Sequence, residues 1–101
     1  MKLFISQPMA GQEEEAIFAR RKKALERVQS LYPNQHIEVI DNWLNDKDMS
    51  NPAECLGESI KLMSHADLAV FLGDYYNYRG CMIERLVCSR YGIRWMELRE
   101  L

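Results

Sequence analysis

Short apolar runs alternate with longer amphipathic stretches along this chain of 101 residues. The apolar runs occupy residues 3–5, 37–40, 68–72 and 93–96. The third run is apolar at every position, which is typical of a strand buried on both faces. The stretches between the runs carry apolar residues at helical spacing and predict helices over residues 12–31, 52–65 and 80–91.

This alternation predicts an α/β fold with the order β-α-β-α-β-α-β. Strands joined by helices of this length must run parallel, with right-handed crossovers. We therefore expect a single domain over residues 1–101, built on a small doubly wound parallel sheet in the strand order 2-1-3-4 with helices on both faces. The carboxyl ends of its strands would bring together three segments, residues 6–11, 41–43 and 73–80.

The overall composition excludes several classes of function. A net charge of −2 gives no electrostatic footprint for nucleic acid or for a membrane surface. The basic run at residues 20–23 would wrap around all faces of the first helix, which is typical of solvated surface. The chain has no apolar run of about 18 residues that would predict a membrane span, and its short apolar start does not resemble a signal peptide, so we expect a cytoplasmic protein.

The cysteines and histidines do not predict a metal or redox centre. Cys55, Cys81 and Cys88 are odd in number and form no CxxC motif, and the two histidines are distant from each other. Neither a disulfide framework nor a zinc site is therefore expected. We expect reduced structural thiols, no metal and no cofactor.

Glu84 is the side chain that most strongly suggests a functional site. At about 100° per residue, it shares a helix face with Val87, Cys88 and Tyr91. A carboxylate on an apolar face bears a desolvation cost unless it has a partner or a chemical role. Two interpretations stay open: a buried glutamate satisfied by a tyrosine hydroxyl or a backbone donor, or a nucleophile or general base. Its place in the second turn of its helix favours the ionised form.

The three segments at the predicted edge of the sheet offer binding groups. Backbone N–H groups of residues 6–11 can receive an anion or ribose hydroxyls, although a plain strand-to-helix turn explains the same residues. Asp41 can accept hydrogen bonds from a ribose or cap its own turn. The tyrosines of residues 75–78 can stack on a base or form an oligomer interface, and Arg79 can hold a phosphate or join that interface.

Four stretches of the sequence together resemble the nucleoside 2-deoxyribosyltransferase-like superfamily, and most closely a small bacterial and phage branch of unassigned function. They are KLFISQPMAG at residues 2–11, VID at 39–41, LGESIKLMSHAD at 56–67, and RGCMIE at 79–84 with YGI at 91–93. The resemblance implies a flavodoxin-like or Rossmann-like fold and cleavage or exchange of an N-glycosidic bond. It also implies a homodimer or larger assembly in which a neighbouring subunit completes the pocket.

The resemblance also implies roles for individual residues. Glu84 matches the family glutamate that attacks the anomeric carbon. Ser59 stands where active members usually carry an aspartate that holds the sugar or protonates the leaving base. The resemblance and the three segments at the predicted edge of the sheet together give the candidate substrate-binding residues. They are Ser6, Gln7, Pro8, Met9, Gly11, Asp41, Ser59, Tyr78, Arg79 and Gly80.

Three hypotheses for the function follow from these residues. The first is an enzyme that cleaves a nucleoside or nucleotide N-glycosidic bond, or transfers its deoxyribosyl group, with Glu84 as the nucleophile. The second is a non-catalytic nucleotide-binding module that sequesters or senses its ligand, which Ser59 in place of an acid would favour. The third is a structural dimer module with the tyrosines of residues 75–78 at its interface.

Overall fold

Strands and helices alternate along the described part of the chain. The computed structural model describes residues 1–42 and 51–101, so Trp43, at the end of the predicted segment 41–43, lies outside the described residues. The elements in chain order are β1 (Lys2–Ser6), α1 (Glu14–Leu31), β2 (Glu38–Val39), α2 (Pro52–Met63), β3 (Leu68–Leu72), a 3-10 turn (Tyr75–Asn77), α3 (Arg79–Tyr91) and β4 (Trp95–Leu98).

The four described strands form one parallel sheet in the order β2-β1-β3-β4. This confirms the predicted α/β class and the strand order 2-1-3-4. The two central strands pair through Ile5 opposite Val70 and Ser6 opposite Phe71. All five residues of β3 are buried, as its continuous apolarity predicts.

The sheet has a hydrophobic core on each face, because successive residues of a strand point to opposite sides. Leu3 and Ile5 of β1 belong to the core beneath α1, together with Ala24 and Val28 of that helix. Phe4 lies in the opposite core with Met63 of α2 and with residues of α3. Helices therefore cover both faces, as expected for a doubly wound sheet, and Ser6 has the orientation of Phe4.

The helix ends follow local chemistry. Asn51 caps α2, since its side chain accepts a hydrogen bond from the Glu54 N–H at 3.1 Å. Helix α3 ends at Gly92, whose φ of 73° lies in the left-handed region that glycine adopts without strain. The Ile93 N–H bonds back to the Cys88 carbonyl at 3.0 Å, so residue 93 still belongs to the turn. This is why β4 begins at Trp95 rather than at the predicted residue 93.

Candidate functional site

The candidate site lies between two strands whose following helices pack on opposite faces of the sheet. After β1 the chain passes to α1 on one face of the sheet, and after β3 it passes to α3 on the other. Because β1 and β3 are neighbours, their carboxyl ends form the topological switch point at which open α/β sheets bind ligands. Ser6 is the last residue of β1, and Glu84 lies on α3 directly beside it.

The Glu84 carboxylate is held by two serine hydroxyls from two different elements. Ser6 Oγ donates to Oε1 at 2.7 Å, and Ser59 Oγ on α2 donates to Oε2 at 2.6 Å. Glu84 is 7% exposed, Ser6 2% and Ser59 8%. The three side chains therefore form one buried cluster that links β1, α2 and α3.

The protonation of this cluster is set by two opposing effects. Burial raises the pKa of Glu84, because the charged form loses hydration, and the hydrogen bonds from Ser59 and Ser6 act against that rise. Protein donors satisfy both oxygens of this buried side chain, as expected for a structural glutamate, although the donors are serines rather than a tyrosine hydroxyl or a backbone group. Hydroxyls suit either protonation state, since each can donate to a carboxylate or accept from a carboxyl group.

A thiol borders the cluster. Cys81 lies one turn before Glu84 on α3 and is 7% exposed. Burial raises its pKa to about 11, an effect that its hydrogen bond with Ser6 opposes and the charge of Glu84 reinforces. A thiol with this pKa is protonated at neutral pH and is a poor nucleophile.

A second polar network lies on the α1 face of the same edge. Arg21 of α1 donates through Nη2 to Asn42 Oδ1 at 2.7 Å and through Nη1 to Gln7 Oε1 at 3.1 Å. Asn42 Nδ2 donates to the Ile5 carbonyl at 3.0 Å. Burial lowers the pKa of Arg21, and the charge of Asp41 opposes that shift. The network fastens the end of β1 to α1 and to the segment that follows β2.

The structure brings only some of the predicted site residues together. Three of them, Ser6, Ser59 and Glu84, share hydrogen bonds. Gln7 belongs to the Arg21 network, and its Nε2 also donates to the Ile17 carbonyl at 3.2 Å.

The other predicted residues of this edge differ in how far they are buried. Pro8 is fully buried, and Met9, Tyr78 and Gly80 are partly buried. The exposed ones are Gly11, Asp41 and Arg79. Gly11 has a φ of 77°, which indicates that the turn after β1 needs a glycine there.

The tyrosines of residues 75–78 do not form one open platform. Tyr75 is 2% exposed and packs on Phe71 with ring centroids 5.3 Å apart. Its hydroxyl bonds to Glu97 Oε2. Tyr76 is exposed, and its hydroxyl accepts a hydrogen bond from Arg99 at 3.1 Å.

Arg21 and Asn42 are the polar site residues that the sequence reasoning missed. Arg21 falls at helical spacing with Ile17, Ala24 and Val28, which are all buried. A cation on an apolar stripe was the available signal. The interpretation of residues 20–23 as solvated surface is wrong for Arg20 and Arg21, which are both partly buried. Asn42 gave no such signal, because its partners are distant in the sequence.

Residues 1–42 and 51–101 also include features that bear on other kinds of site. Two open concavities occur on α1, one beside Leu25 and Gln29 and one beside Phe18 and Lys22, and neither is lined by Glu84. Within these ranges no three metal-binding side chains come together. Each helix in the described ranges is too short or too polar to cross a membrane.

Comparison of the chain with models of protein families, with curated proteins and with solved structures found no match. Function is therefore inferred from the geometry around Glu84 and from the sequence resemblance.

Proposed function

We propose that the protein cleaves the N-glycosidic bond of a nucleoside or nucleotide, or transfers its deoxyribosyl group, with Glu84 as the nucleophile. The observation that carries the proposal is the buried Glu84 carboxylate at the switch point, held by Ser6 and Ser59. Buried acids with perturbed pKa values at such positions are typical of functional sites. The four matching sequence stretches support the same chemistry.

In the proposed reaction a Glu84 oxygen attacks the anomeric carbon of the sugar. The bond from that carbon to the base nitrogen breaks, its electron pair leaves with the base, and the base takes a proton from water. The resulting glycosyl ester is then hydrolysed by water, which returns the carboxylate and releases the sugar, or is attacked by a second base. The transition state resembles an oxocarbenium ion, which a neighbouring carboxylate stabilises.

The serine hydroxyls are compatible with this role. Each carboxylate oxygen has two lone pairs, so an oxygen that accepts from Ser6 or Ser59 retains one for the anomeric carbon. Both hydroxyls hold the carboxylate in one orientation, which favours attack by fixing the reacting atom. With Glu84 only 7% exposed, the substrate has to reach it through rearrangement of surrounding side chains.

The decisive experiment is a release assay with a matched control. The protein is incubated with ribo- and deoxyribonucleosides and their 5′-monophosphates, and free base is followed by chromatography. We expect release by the native protein, none by Glu84→Gln, and native release by Glu26→Gln, which alters an exposed glutamate on α1. If the native protein releases no more base than Glu84→Gln from any member of the panel, the enzymatic proposal is refuted.

A second candidate, a non-catalytic nucleotide-binding module, is favoured by Ser59. The hydroxyl occupies the position where the resemblance places an acid, and it donates to Glu84 instead of protonating a leaving group. This candidate predicts that a nucleotide raises the melting temperature and is recovered intact. If no member of the panel gives base release or a thermal shift, only a structural role remains for Glu84.

The proposed substrates are intracellular metabolites, which agrees with a cytoplasmic location. The three cysteines form no disulfide, as is usual in a reducing compartment.

A further inference from the structure

We propose that the outer edge of β4 binds an extended acidic segment of another protein, which joins the sheet as an added strand. β4 stands at one end of the strand order, so among the described residues it pairs only with β3. This edge is separate from the proposed catalytic site, because β3 lies between β4 and the strand that carries Ser6. The inference therefore goes beyond the proposed function and does not depend on it.

The backbone of β4 presents unpaired groups along this edge. The Ala69 N–H of β3 bonds to the Arg94 carbonyl at 2.9 Å. Because the backbone groups of successive strand residues point to alternate sides, residues 94, 96 and 98 face β3, and Trp95 and Glu97 face outward. Within the described residues the N–H and C=O groups of these two have no hydrogen-bond partner. An extended peptide can pair with such groups and extend the sheet.

Three arginines border the edge, and each lies against an aromatic ring. The guanidinium carbons are 4.7 to 5.5 Å from the ring centres in the pairs Arg85 with Trp95, Arg94 with Tyr32, and Arg99 with Tyr76. Arg94 and Arg99 also donate to the hydroxyls of their tyrosines, at 2.8 and 3.1 Å. The rings hold the guanidinium groups in place, so a carboxylate that binds them immobilises little further side-chain freedom.

These arginines have no carboxylate of their own to neutralise them. Within residues 1–42 and 51–101 the salt bridge joins Arg27 to Glu100. The acid of β4 is Glu97, whose carboxylate accepts a hydrogen bond from the Tyr75 hydroxyl. Arg85 makes no hydrogen bond in this part of the chain, and its buried Nε–H lacks an acceptor. The edge is therefore positive, and charge complementarity favours an acidic partner, since guanidinium groups bind carboxylates bidentately.

The apolar side chains of β4 favour a polypeptide over other anions. Trp95 and Met96 are both partly buried, and they belong to cores on opposite faces of the sheet. An added strand would cover both side chains at once. A nucleic acid would bring phosphates to the arginines, but it has no regular row of N–H and C=O groups to pair with the edge. The occupant that fits is an extended segment in which glutamates or aspartates alternate with apolar residues.

The length of the edge sets the expected strength. β4 has four residues and is about 13 Å long. Each of its two outward residues offers one donor and one acceptor. A contact of this size is small for a specific interface, and we expect a dissociation constant on the order of 100 μM.

The first test follows the isotope-labelled protein by NMR while a blocked hexapeptide of alternating glutamate and valine is added. We expect the amide signals of Trp95 and Glu97 to shift and their hydrogen exchange to slow, while those of Ser6 and Glu84 stay unchanged. A peptide of alternating lysine and valine should bind about tenfold more weakly or not at all. No shift with the acidic peptide, equal binding of both peptides, or binding of a short oligouridylate instead would overturn the proposal.

Backbone methylation of the acidic peptide separates strand pairing from charge attraction. In an extended peptide the glutamate N–H groups point to one side and the valine N–H groups to the other. Two peptides are compared, one N-methylated at the glutamates and one at the valines, and both keep every charge. Since only one side of the peptide pairs with β4, one version should lose binding and the other should retain it. Equal binding of the two versions would refute strand addition.

Variants of the protein assign the charges of the edge. Arg99→Gln changes an exposed residue and should weaken binding of the acidic peptide about fivefold. Lys22→Gln removes the same charge from an exposed position on α1 and should bind as the native protein does. Circular dichroism establishes that both variants are folded. An equal loss of affinity in the two variants would indicate attraction to the whole protein rather than to this edge, and would contradict the proposal.

Discussion

Removal of the Ser59 hydroxyl tests the central cluster most directly. Ser59→Ala deletes a donor at 2.6 Å from a buried carboxylate. A hydrogen bond to a charged group contributes about 1.5 to 3 kcal/mol, and alanine regains about 0.5 kcal/mol of helix propensity relative to serine. The net loss in the free energy of unfolding is therefore about 1 to 2.5 kcal/mol at a pH where Glu84 is ionised.

The magnitude converts to a measurable shift in melting temperature. The entropy of unfolding is about 2.1 cal/mol/K per residue, which gives about 0.2 kcal/mol/K for a chain of 101 residues. Ser59→Ala should therefore melt about 5 to 12 °C below the native protein. The control is Ser89→Ala, which changes an exposed serine on α3 and should be neutral or slightly stabilising.

Two further comparisons isolate the charge of Glu84. In a Glu84→Gln background the bond from Ser59 has a neutral acceptor, so Ser59→Ala should cost only about 0.5 to 1.5 kcal/mol before the propensity gain. In the native background the cost should also shrink at acid pH, where Glu84 is protonated. Calorimetry of the native protein, Ser59→Ala, Glu84→Gln and the double variant at neutral and acid pH measures the cost of Ser59→Ala in each background. An equal cost for Ser59→Ala in both backgrounds at neutral pH would refute the charge-assisted bond.

The remaining predictions concern protonation. Because burial raises the folded pKa of Glu84 above its ordinary value of 4.5, its contribution to stability is present below that value and is lost as the pH rises through the folded pKa. Glu84→Gln should therefore gain stability over the native protein as the pH rises from 4 to 7, and chemical denaturation at each pH checks this; a constant difference would contradict it. Burial raises the pKa of Cys81 and of Cys88 to about 11, so a thiol reagent at pH 8 should modify the partly exposed Cys55 first, and the other two only after unfolding. Equal rates in the native protein would contradict this prediction.

The sheet could be predicted from the sequence because its signals are local. The uninterrupted run of β3, the amphipathic stretches and the turn residues each act within about twenty residues, and the rule on crossover handedness then restricts the topology. Strand ends were less predictable, since pairing partners decide them. Strand β2 contains only Glu38–Val39, and β4 extends to Leu98 because Leu98 pairs with Leu72.

The site was predicted in part, for a related reason. Glu84 was found because an acid on an apolar stripe conflicts with its surroundings, and that conflict is visible in the sequence. Ser6 and Ser59 were expected in the same site, but their hydrogen bonds to Glu84 were not predicted, because the two serines lie 78 and 25 residues away from it in the sequence. Tyr75 was expected in a binding loop but belongs to the core, since the 3-10 turn after β3 directs it onto Phe71.

Stability and the proposed chemistry make opposite demands on Glu84, and this makes the two kinds of experiment informative together. A buried carboxylate whose pKa is raised destabilises the fold at neutral pH relative to a neutral isostere. If Glu84 were purely structural, Glu84→Gln would keep both serine contacts, gain stability and lose nothing else. If Glu84 acts on a sugar, the same substitution gains stability but loses base release, which is the trade-off expected of a group placed for reaction rather than for packing. A Glu84→Gln variant that loses base release while it gains stability therefore identifies a nucleophile, whereas a variant that only gains stability identifies a buried structural acid.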